Sequence, residues 1–265
     1  MAALYQTILP LHAIVGLMGL ILFWLPTVLR KGSPKHKQIG RWFIWAMVFT
    51  GTSGLIMGVI LYIDPIAVRF SENDFTPIQL QAWTKALRNQ AIFLLLLALL
   101  LLTAARHTVL VLRAKQHREL LRKPVNLFLP TMLCATGIYL TGIAIKDSTV
   151  LFGVFAGIAL FTSISNLWYY FKSKIKRFEW VIEHLGGAFG GGIAAHTAFF
   201  VFGANRWIGD IFTGQLRLVP WILPSVIGVT AIVVVGNYYR RKYVQTAAPL
   251  SGHDSNFNNR SLGPI

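Results

Sequence analysis

The chain has 265 residues, of which 55% are hydrophobic and only 13% are charged. A soluble domain usually carries about 25% charged residues, so this composition excludes a soluble globular protein and indicates an integral membrane protein. The single cysteine, Cys134, excludes an internal disulfide and any cysteine-cluster metal site.

Seven apolar segments are long enough to cross a bilayer. A spanning helix needs about 20 mostly apolar residues, and the third segment is the least regular because Arg106 and His107 interrupt it near its end. The predicted fold is all-α, a polytopic membrane protein built as a seven-transmembrane-helix bundle. The predicted spans are 5–29, 42–63, 91–112, 125–145, 149–171, 178–202 and 219–239.

Positive charge is concentrated in alternate connections between these spans. Most of the 25 Lys and Arg residues follow the first, third, fifth and seventh spans. Loops rich in Lys and Arg stay in the cytoplasm, which predicts an amino terminus outside and a carboxyl terminus in the cytoplasm. The net charge of +16 is therefore explained by basic loops that stay in the cytoplasm, and no nucleic acid partner is expected. Residues 1–243 form the predicted transmembrane domain, and the polar residues 244–265 a disordered cytoplasmic tail.

The third span is expected to begin before the bilayer. Thr76, Pro77 and Gln79 form a helix start, in which Thr76 caps the helix and Gln79 reaches back to the cap. The basic segment 113–123, beyond the span, has two interpretations. It is either an amphipathic extension of the helix that contacts anionic lipid headgroups, or a solvated helix end.

Glycines recur at helical spacing, most densely in the sixth span, GGAFGGG. Gly187 and Gly191 of this run share one helix face. Small residues let helices approach closely in lipid, which makes these two glycines candidates for helix packing. The alternative is that the run leaves room for a flat cofactor or another ligand.

Ionisable residues within the spans are the candidate functional groups, because a bilayer makes them costly. His12 and His196 each lie roughly 10–12 Å from the outer end of their helix, at 1.5 Å per residue. We therefore expect them to meet in an outer site that binds a metal or a cofactor. His107, Glu183 and His184 lie near the cytoplasmic ends of spans three and six, so we expect an inner site there, with Glu183 and His184 as a proton relay.

Three functional hypotheses follow from these residues. The leading hypothesis is proton- or metal-coupled transport, since histidine and carboxylate chains in membrane cores are typical of transport paths. The alternative is a b-type haem electron carrier or reductase, with axial ligands from His12, His107, His184 and His196. Two stacked haems fit poorly, because His184 and His196 are separated by about 18 Å along the helix and some 120° around it. The third is a structural or sensory protein whose histidines bond neighbouring helices. No HExxH or GxSxG motif indicates catalysis.

The histidine pattern also carries a family resemblance. His12 of the first span is followed by a basic loop in which His36 lies four residues before the pair Gly40 and Arg41. Together with EHLGGAFGGGIAAHTAFFVFGANRW, this pattern resembles the domain-of-unknown-function 2306 family of bacterial membrane proteins. The resemblance implies a multi-helix protein of the bacterial cytoplasmic (inner) membrane, and it implies no activity.

Overall fold

The long helices of the computed structural model follow the predicted spans. The structure describes residues 1–70, 75–115, 117–173, 176, 178–204 and 210–247. Its helices are α1 (Ala2–Val28), α2 (Pro34–Ile63), α3 (Pro65–Arg69), α4 (Pro77–Ala114), α5 (Pro124–Lys146), α6 (Val150–Phe171), α7 (Glu179–Ala198) and α8 (Val219–Ala247). A π-helical turn (Phe199–Gly203) continues α7, and 3₁₀ turns form at Arg118–Leu120 and Gly214–Leu218. In this part of the chain seven helices are long and apolar enough to cross a membrane, all but the short α3, which confirms an all-helical, multi-pass membrane architecture.

Local capping sequences set where the two longest helices begin. Ser33 caps α2, since its hydroxyl accepts a hydrogen bond from the backbone N–H of His36 at 3.2 Å. At the start of α4, the Thr76 hydroxyl accepts from the backbone N–H of Gln79, and the Gln79 side chain accepts from the backbone N–H of Thr76 at 3.0 Å. The predicted helix start at Thr76 is confirmed, and α4 is 38 residues long.

The longest helix, α4, lies at the centre and contacts α2, α5, α6 and α7. Facing residues show that α2 and α7 run antiparallel to it and that α6 runs parallel to it. These pairs are Gly51–Leu102 and Gly58–Leu95 for α2, Gly187–Thr108 and Gly191–Ala104 for α7, and Phe93–Phe152 and His107–Tyr170 for α6. The start of α2, the ends of α4 and α6 and the start of α7 therefore lie at one end of the bundle, which we call the basic end.

The basic segment after α4 does not continue the helix. α4 ends at Ala114, and Lys115 adopts a positive φ of 46°. The chain then turns back, and Leu121 is fully buried in a cluster with Tyr169 and Tyr170. The predicted amphipathic extension is therefore wrong, because a continuous helix would carry Leu121 away from the bundle and leave this apolar side chain outside the core.

The core and the outer surface of the bundle are both apolar. Its largest buried cluster joins α4, α5 and α6 around Phe93, Leu96, Leu133 and Leu140. Large apolar side chains also cover the outer faces, and Phe161 is 75% exposed. Extended exposed apolar surface marks contact with a membrane or a partner, which agrees with a bundle surrounded by lipid.

The last helix runs past the predicted end of the membrane domain. α8 continues to Ala247, four residues into the segment predicted to be a disordered tail. Residues 248–265 of that tail lie outside the described residues. α8 packs on α7, and Gly228 faces the side chain of Ile193 at this contact.

Candidate functional site

Three titratable side chains form a hydrogen-bonded chain near the basic end, each on a different helix. His107 of α4 is only 3% exposed. Its Nε2 lies 3.2 Å from Oε2 of Glu183 on α7, and its Nδ1 lies 3.1 Å from the hydroxyl of Tyr170 on α6. Tyr170 is buried, whereas 28% of the Glu183 side chain is exposed. The chain therefore leads from the interior at Tyr170 to a partly accessible carboxylate.

The partners of His107 determine which of its nitrogens carries the proton. An ionised carboxylate can only accept hydrogen bonds, so Nε2 of neutral His107 donates to Glu183. Nδ1 then accepts from the Tyr170 hydroxyl. A second proton on the ring makes both nitrogens donors, so Tyr170 has to turn its own hydrogen away. Protonation of His107 thus creates an ion pair with Glu183 and reverses the bond to Tyr170.

Close packing holds the chain in place. The Tyr170 ring stacks on His107, with centroids 5.6 Å apart and planes 19° apart, and Tyr169 meets His107 edge-on at 6.0 Å. Gly187 brings α7 against α4, because a Cβ there would lie 2.5 Å from Oγ1 of Thr108 and 3.2 Å from its backbone nitrogen. The helix carrying Glu183 can approach His107 only because position 187 has no side chain.

The glycine run of α7 has two packed sides and one open side. Gly191, like Gly187, faces α4, with Ala104 3.8 Å from the position of a Cβ. Gly192 faces α1, where the ring of Phe23 occupies the space that a side chain would need. A Cβ at Gly186 or Gly190 would meet nothing within 4 Å. The packed glycines therefore leave no gap for a flat cofactor between α7 and α4.

His184 lies next to the Glu183–His107–Tyr170 chain but forms no hydrogen bond to any of its three side chains. Its Nδ1 lies 3.0 Å from the backbone carbonyl oxygen of Thr108, so this nitrogen donates. The structure thus places His107, Glu183 and His184 in one layer, as the sequence suggests. The carboxylate pairs with His107 on another helix, however, and not with His184 beside it in the chain.

His12 bonds to a serine on the neighbouring helix. Its Nδ1 lies 2.9 Å from Oγ of Ser53, and that hydroxyl donates to the backbone carbonyl of Phe49 at 2.8 Å. The Ser53 hydroxyl also lies 3.1 Å from the backbone carbonyl oxygen of Thr50, and the direction of its bond to His12 depends on the tautomer of the ring. Gly54 lies beside the ring, and a Cβ there would be 3.5 Å from Cε1 of His12.

Both nitrogens of His196 have other partners. Nδ1 lies 2.8 Å from the carbonyl oxygen of Gly192 in its own helix, and Nε2 accepts from the indole N–H of Trp24 at 3.2 Å. The structure therefore does not pair His196 with His12, and ligation of a metal or haem by His196 would first break one of these two bonds. Within the described ranges, no group of three or more His, Cys, Asp or Glu side chains could hold a metal ion.

His36 has a structural position in the first connection. Its Nδ1 lies 3.2 Å from the carbonyl oxygen of Pro26, near the end of α1, and the ammonium group of Lys31 donates to the same carbonyl at 2.8 Å. The last carbonyls of a helix lack partners within it, and cations there also suit the helix dipole. His36 and Lys31 thus close the turn between α1 and α2.

Two buried polar groups close to the Glu183–His107–Tyr170 chain have no hydrogen-bond partner among the described residues. The three guanidinium nitrogens of Arg118 are out of contact with solvent, and they meet no acceptor in the part of the chain that the structure describes. The same holds for the hydroxyl of Tyr169, which is 1% exposed. The guanidinium carbon of Arg118 lies over the Tyr169 ring, 5.2 Å from its centroid.

Sequence reasoning missed Arg118, Tyr169 and Tyr170. One signal was present, because adjacent residues of a helix point about 100° apart. Two consecutive tyrosines at a helix end therefore point in different directions, and one of them can face the bundle.

Comparison of the chain with family models, curated proteins and solved structures gives no match. The resemblance to the domain-of-unknown-function 2306 family stays a prediction. The functional interpretation therefore depends on the geometry of the Glu183–His107–Tyr170 chain.

Proposed function

We propose that this protein is a proton-coupled membrane transporter in which the Glu183–His107–Tyr170 chain takes up and passes on a proton. The observation that supports this function is the chain itself, three titratable side chains in hydrogen-bond contact from three different helices. Ionisable residues within a bundle are costly and are typical of proton relays and substrate paths. Compared with the sequence-based expectation, His107 replaces His184 as the partner of Glu183.

The proposed location is the bacterial cytoplasmic membrane, with the amino terminus outside and the basic end in the cytoplasm. The Lys and Arg residues of alternate connections support this orientation. Exposed cations at this end, such as Arg113, Lys115 and Lys123, would lie at the level of anionic lipid headgroups. Glu183 would then exchange protons with the cytoplasm.

The coupling of a proton to movement follows from the two bonds of His107. In the neutral state His107 links α6 and α7 through one accepted and one donated hydrogen bond. A proton on His107 turns the link to Glu183 on α7 into an ion pair and reverses the direction of the bond to Tyr170 on α6. Protonation thus changes the links of α4 to its two neighbours unequally, and a difference between two states is what a proton-driven conformational change requires.

A liposome assay tests this function. The purified protein is reconstituted in vesicles that contain a pH-sensitive dye, and the proton flux is recorded after a pH jump. We expect Glu183→Gln to lower the flux by about tenfold or more, since loss of a group that accepts and gives protons typically has effects of this size. Glu119→Gln is the matched control, because it removes an exposed carboxylate from the third connection.

The variant Tyr170→Phe separates the relay from packing. It keeps the ring that stacks on His107 and removes only the hydroxyl. A slower flux with an unchanged thermal unfolding midpoint would support the relay. A flux in Glu183→Gln equal to that of the unaltered protein, with both proteins folded, would contradict the proposed function.

A further inference from the structure

The guanidinium of Arg118 is a positive charge for which the described structure supplies no hydrogen-bond acceptor. An arginine side chain remains charged at any physiological pH, and its five N–H groups only donate. Its three nitrogens are buried and unpartnered. A buried charge without a partner is strongly unfavourable. An acceptor is therefore missing from this position.

The nearby carboxylates already have other partners. Glu183 accepts from His107, and Glu179 accepts from the ammonium of Lys172 and from the backbone N–H of Lys176. Neither carboxylate accepts a hydrogen bond from Arg118, although the charge of Arg118 acts on Glu179. The guanidinium therefore keeps its capacity to donate hydrogen bonds to a further acceptor.

A second unpartnered donor marks the same place. The hydroxyl of Tyr169 is buried and has no partner in the described ranges, and the guanidinium of Arg118 lies over the ring of this tyrosine. Two potential donors, one of them charged, thus belong to side chains that contact each other where Arg118 packs on the end of α6. Arginine with a hydroxyl donor is a typical arrangement for binding carboxylate or phosphate oxygens.

We propose that Arg118 and Tyr169 form a binding site for an oxyanion, a phosphate group in particular, at the basic end of the bundle. The guanidinium would donate two parallel hydrogen bonds to the anion, and the Tyr169 hydroxyl would donate a third. The phosphate group comes from an anionic lipid headgroup or from a phosphate in solution. Basic pockets between transmembrane helices bind lipid headgroups in this way.

The site is distinct from the proton chain and lies next to it. Tyr169 and Tyr170 are consecutive residues of α6, and both contact the ring of His107. A phosphate group on Arg118 would therefore hold in place the turn of α6 that carries Tyr170. This link concerns anion binding only, and it stands whether or not the chain conducts protons.

Thermal unfolding in nanodiscs tests the site on the full-length protein. One arm uses phosphatidylcholine nanodiscs titrated with inorganic phosphate, and the other compares phosphatidylcholine with phosphatidylglycerol nanodiscs without added phosphate. A ligand that binds only the folded protein raises the unfolding midpoint with its concentration. We expect the unaltered protein to respond in at least one arm. A response to free phosphate identifies a solute site, and a response to phosphatidylglycerol alone identifies a lipid site.

Variants of Arg118 and Tyr169 test whether these two donors cause the shift of the unfolding midpoint. We expect Arg118→Gln to weaken the response by about tenfold or more, since a charge-assisted contact is lost. Arg113→Gln is the matched control, because it removes an exposed arginine from the last turn of α4 and should leave the response unchanged. Arg118→Lys keeps the charge but loses the two-pronged geometry, and Tyr169→Phe loses one donor. Each should weaken binding by about two- to fivefold.

Several outcomes would overturn the site. The proposal is wrong when the unaltered protein responds in neither arm, or when Arg118→Gln and Arg113→Gln respond alike. Should Arg118→Gln fail to fold, Arg118→Lys and Tyr169→Phe decide the question. Binding equal to that of the unaltered protein in both of these variants would also contradict the site.

Discussion

Asp147 joins two parts of the bundle at the end opposite the basic end. Its Oδ1 lies 2.8 Å from the ammonium of Lys85, and its Oδ2 lies 2.7 Å from the amide nitrogen of Asn89. Lys85 and Asn89 belong to α4, whereas Asp147 directly follows α5. The hydrogen bond from Lys85 holds the pKa of Asp147 below its usual range, and the charges of Lys85 and Lys146 act in the same direction.

We expect the stabilising effect of Asp147 to depend on pH. A carboxylate whose pKa is lowered in the folded state stabilises that state above its unfolded pKa of about 4. This stabilisation disappears as the pH falls through the lower, folded pKa. The unaltered protein should therefore unfold at a higher temperature than Asp147→Asn at pH 7, and the difference should shrink as the sample is acidified below about pH 4.

The control for this measurement is Asp64→Asn at the same end of the bundle. The Asp64 carboxylate forms no ion pair within the described residues. The difference in unfolding temperature between the unaltered protein and Asp64→Asn should therefore stay nearly the same across this pH range. A difference between the unaltered protein and Asp147→Asn that is equally large at pH 7 and pH 3 would contradict the role of the Lys85 bond.

Among the helices, α7 shows how glycines on different faces have different roles. Gly187 faces the backbone of α4, where the carbonyl oxygen of Ala104 would be 3.3 Å from a Cβ and the Thr108 nitrogen 3.2 Å. Gly190 belongs to the same run and faces open space. A methyl group at position 187 would push two helix backbones apart, and a methyl group at 190 would touch nothing.

We expect Gly187→Ala and Gly190→Ala to have opposite effects on stability. The first should destabilise the protein by about 1–3 kcal/mol, the usual range for overpacking. The second should be neutral or stabilise by up to about 1 kcal/mol, because alanine favours the helix over glycine. Unfolding of the two variants in mixed micelles measures the difference. Equal stabilities would show that α7 does not approach α4 as closely as the contacts indicate.

Local features were predictable from sequence, and features created by packing were not. The spans and the cap at Thr76 depend on residues close together in the chain, so hydrophobic length and capping pattern identify them. The turn after Ala114 exists because Leu121 is buried by Tyr169 and Tyr170, which lie far away in sequence. Depth along a helix suggested that His12 and His196 meet, but depth does not fix the direction in which a side chain points.

The whole molecule is organised around α4. This helix contributes Lys85 and Asn89 at one end and His107 near the other, so it connects the ion pair of Asp147 with the Glu183–His107–Tyr170 chain. α2, α5, α6 and α7 surround it, and α1 and α8 pack on the outside against α2 and α7. A displacement of α4 along its axis would therefore change the contacts of Asp147 at one end of the bundle and those of His107 near the other.

The orientation of the molecule can be tested with single cysteines. In a Cys134→Ser background, Lys123→Cys places a thiol at the basic end and Lys146→Cys places one near the opposite end; both lysines are exposed. A membrane-impermeant maleimide should label Lys146→Cys in intact cells, because the basic connections are expected in the cytoplasm. Lys123→Cys should react only after the membrane is permeabilised. The reverse labelling pattern would show that the amino terminus is inside.

His107 is synthesised before both of its hydrogen-bond partners. Its partners Tyr170 and Glu183 follow it by 63 and 76 residues. At a translation rate of about 5–20 residues per second, roughly 4–15 s separate the synthesis of His107 from that of its last partner. Throughout this interval the third span carries an imidazole that α6 and α7 have not yet covered. The arrival of the sixth span thus completes the polar interior around His107.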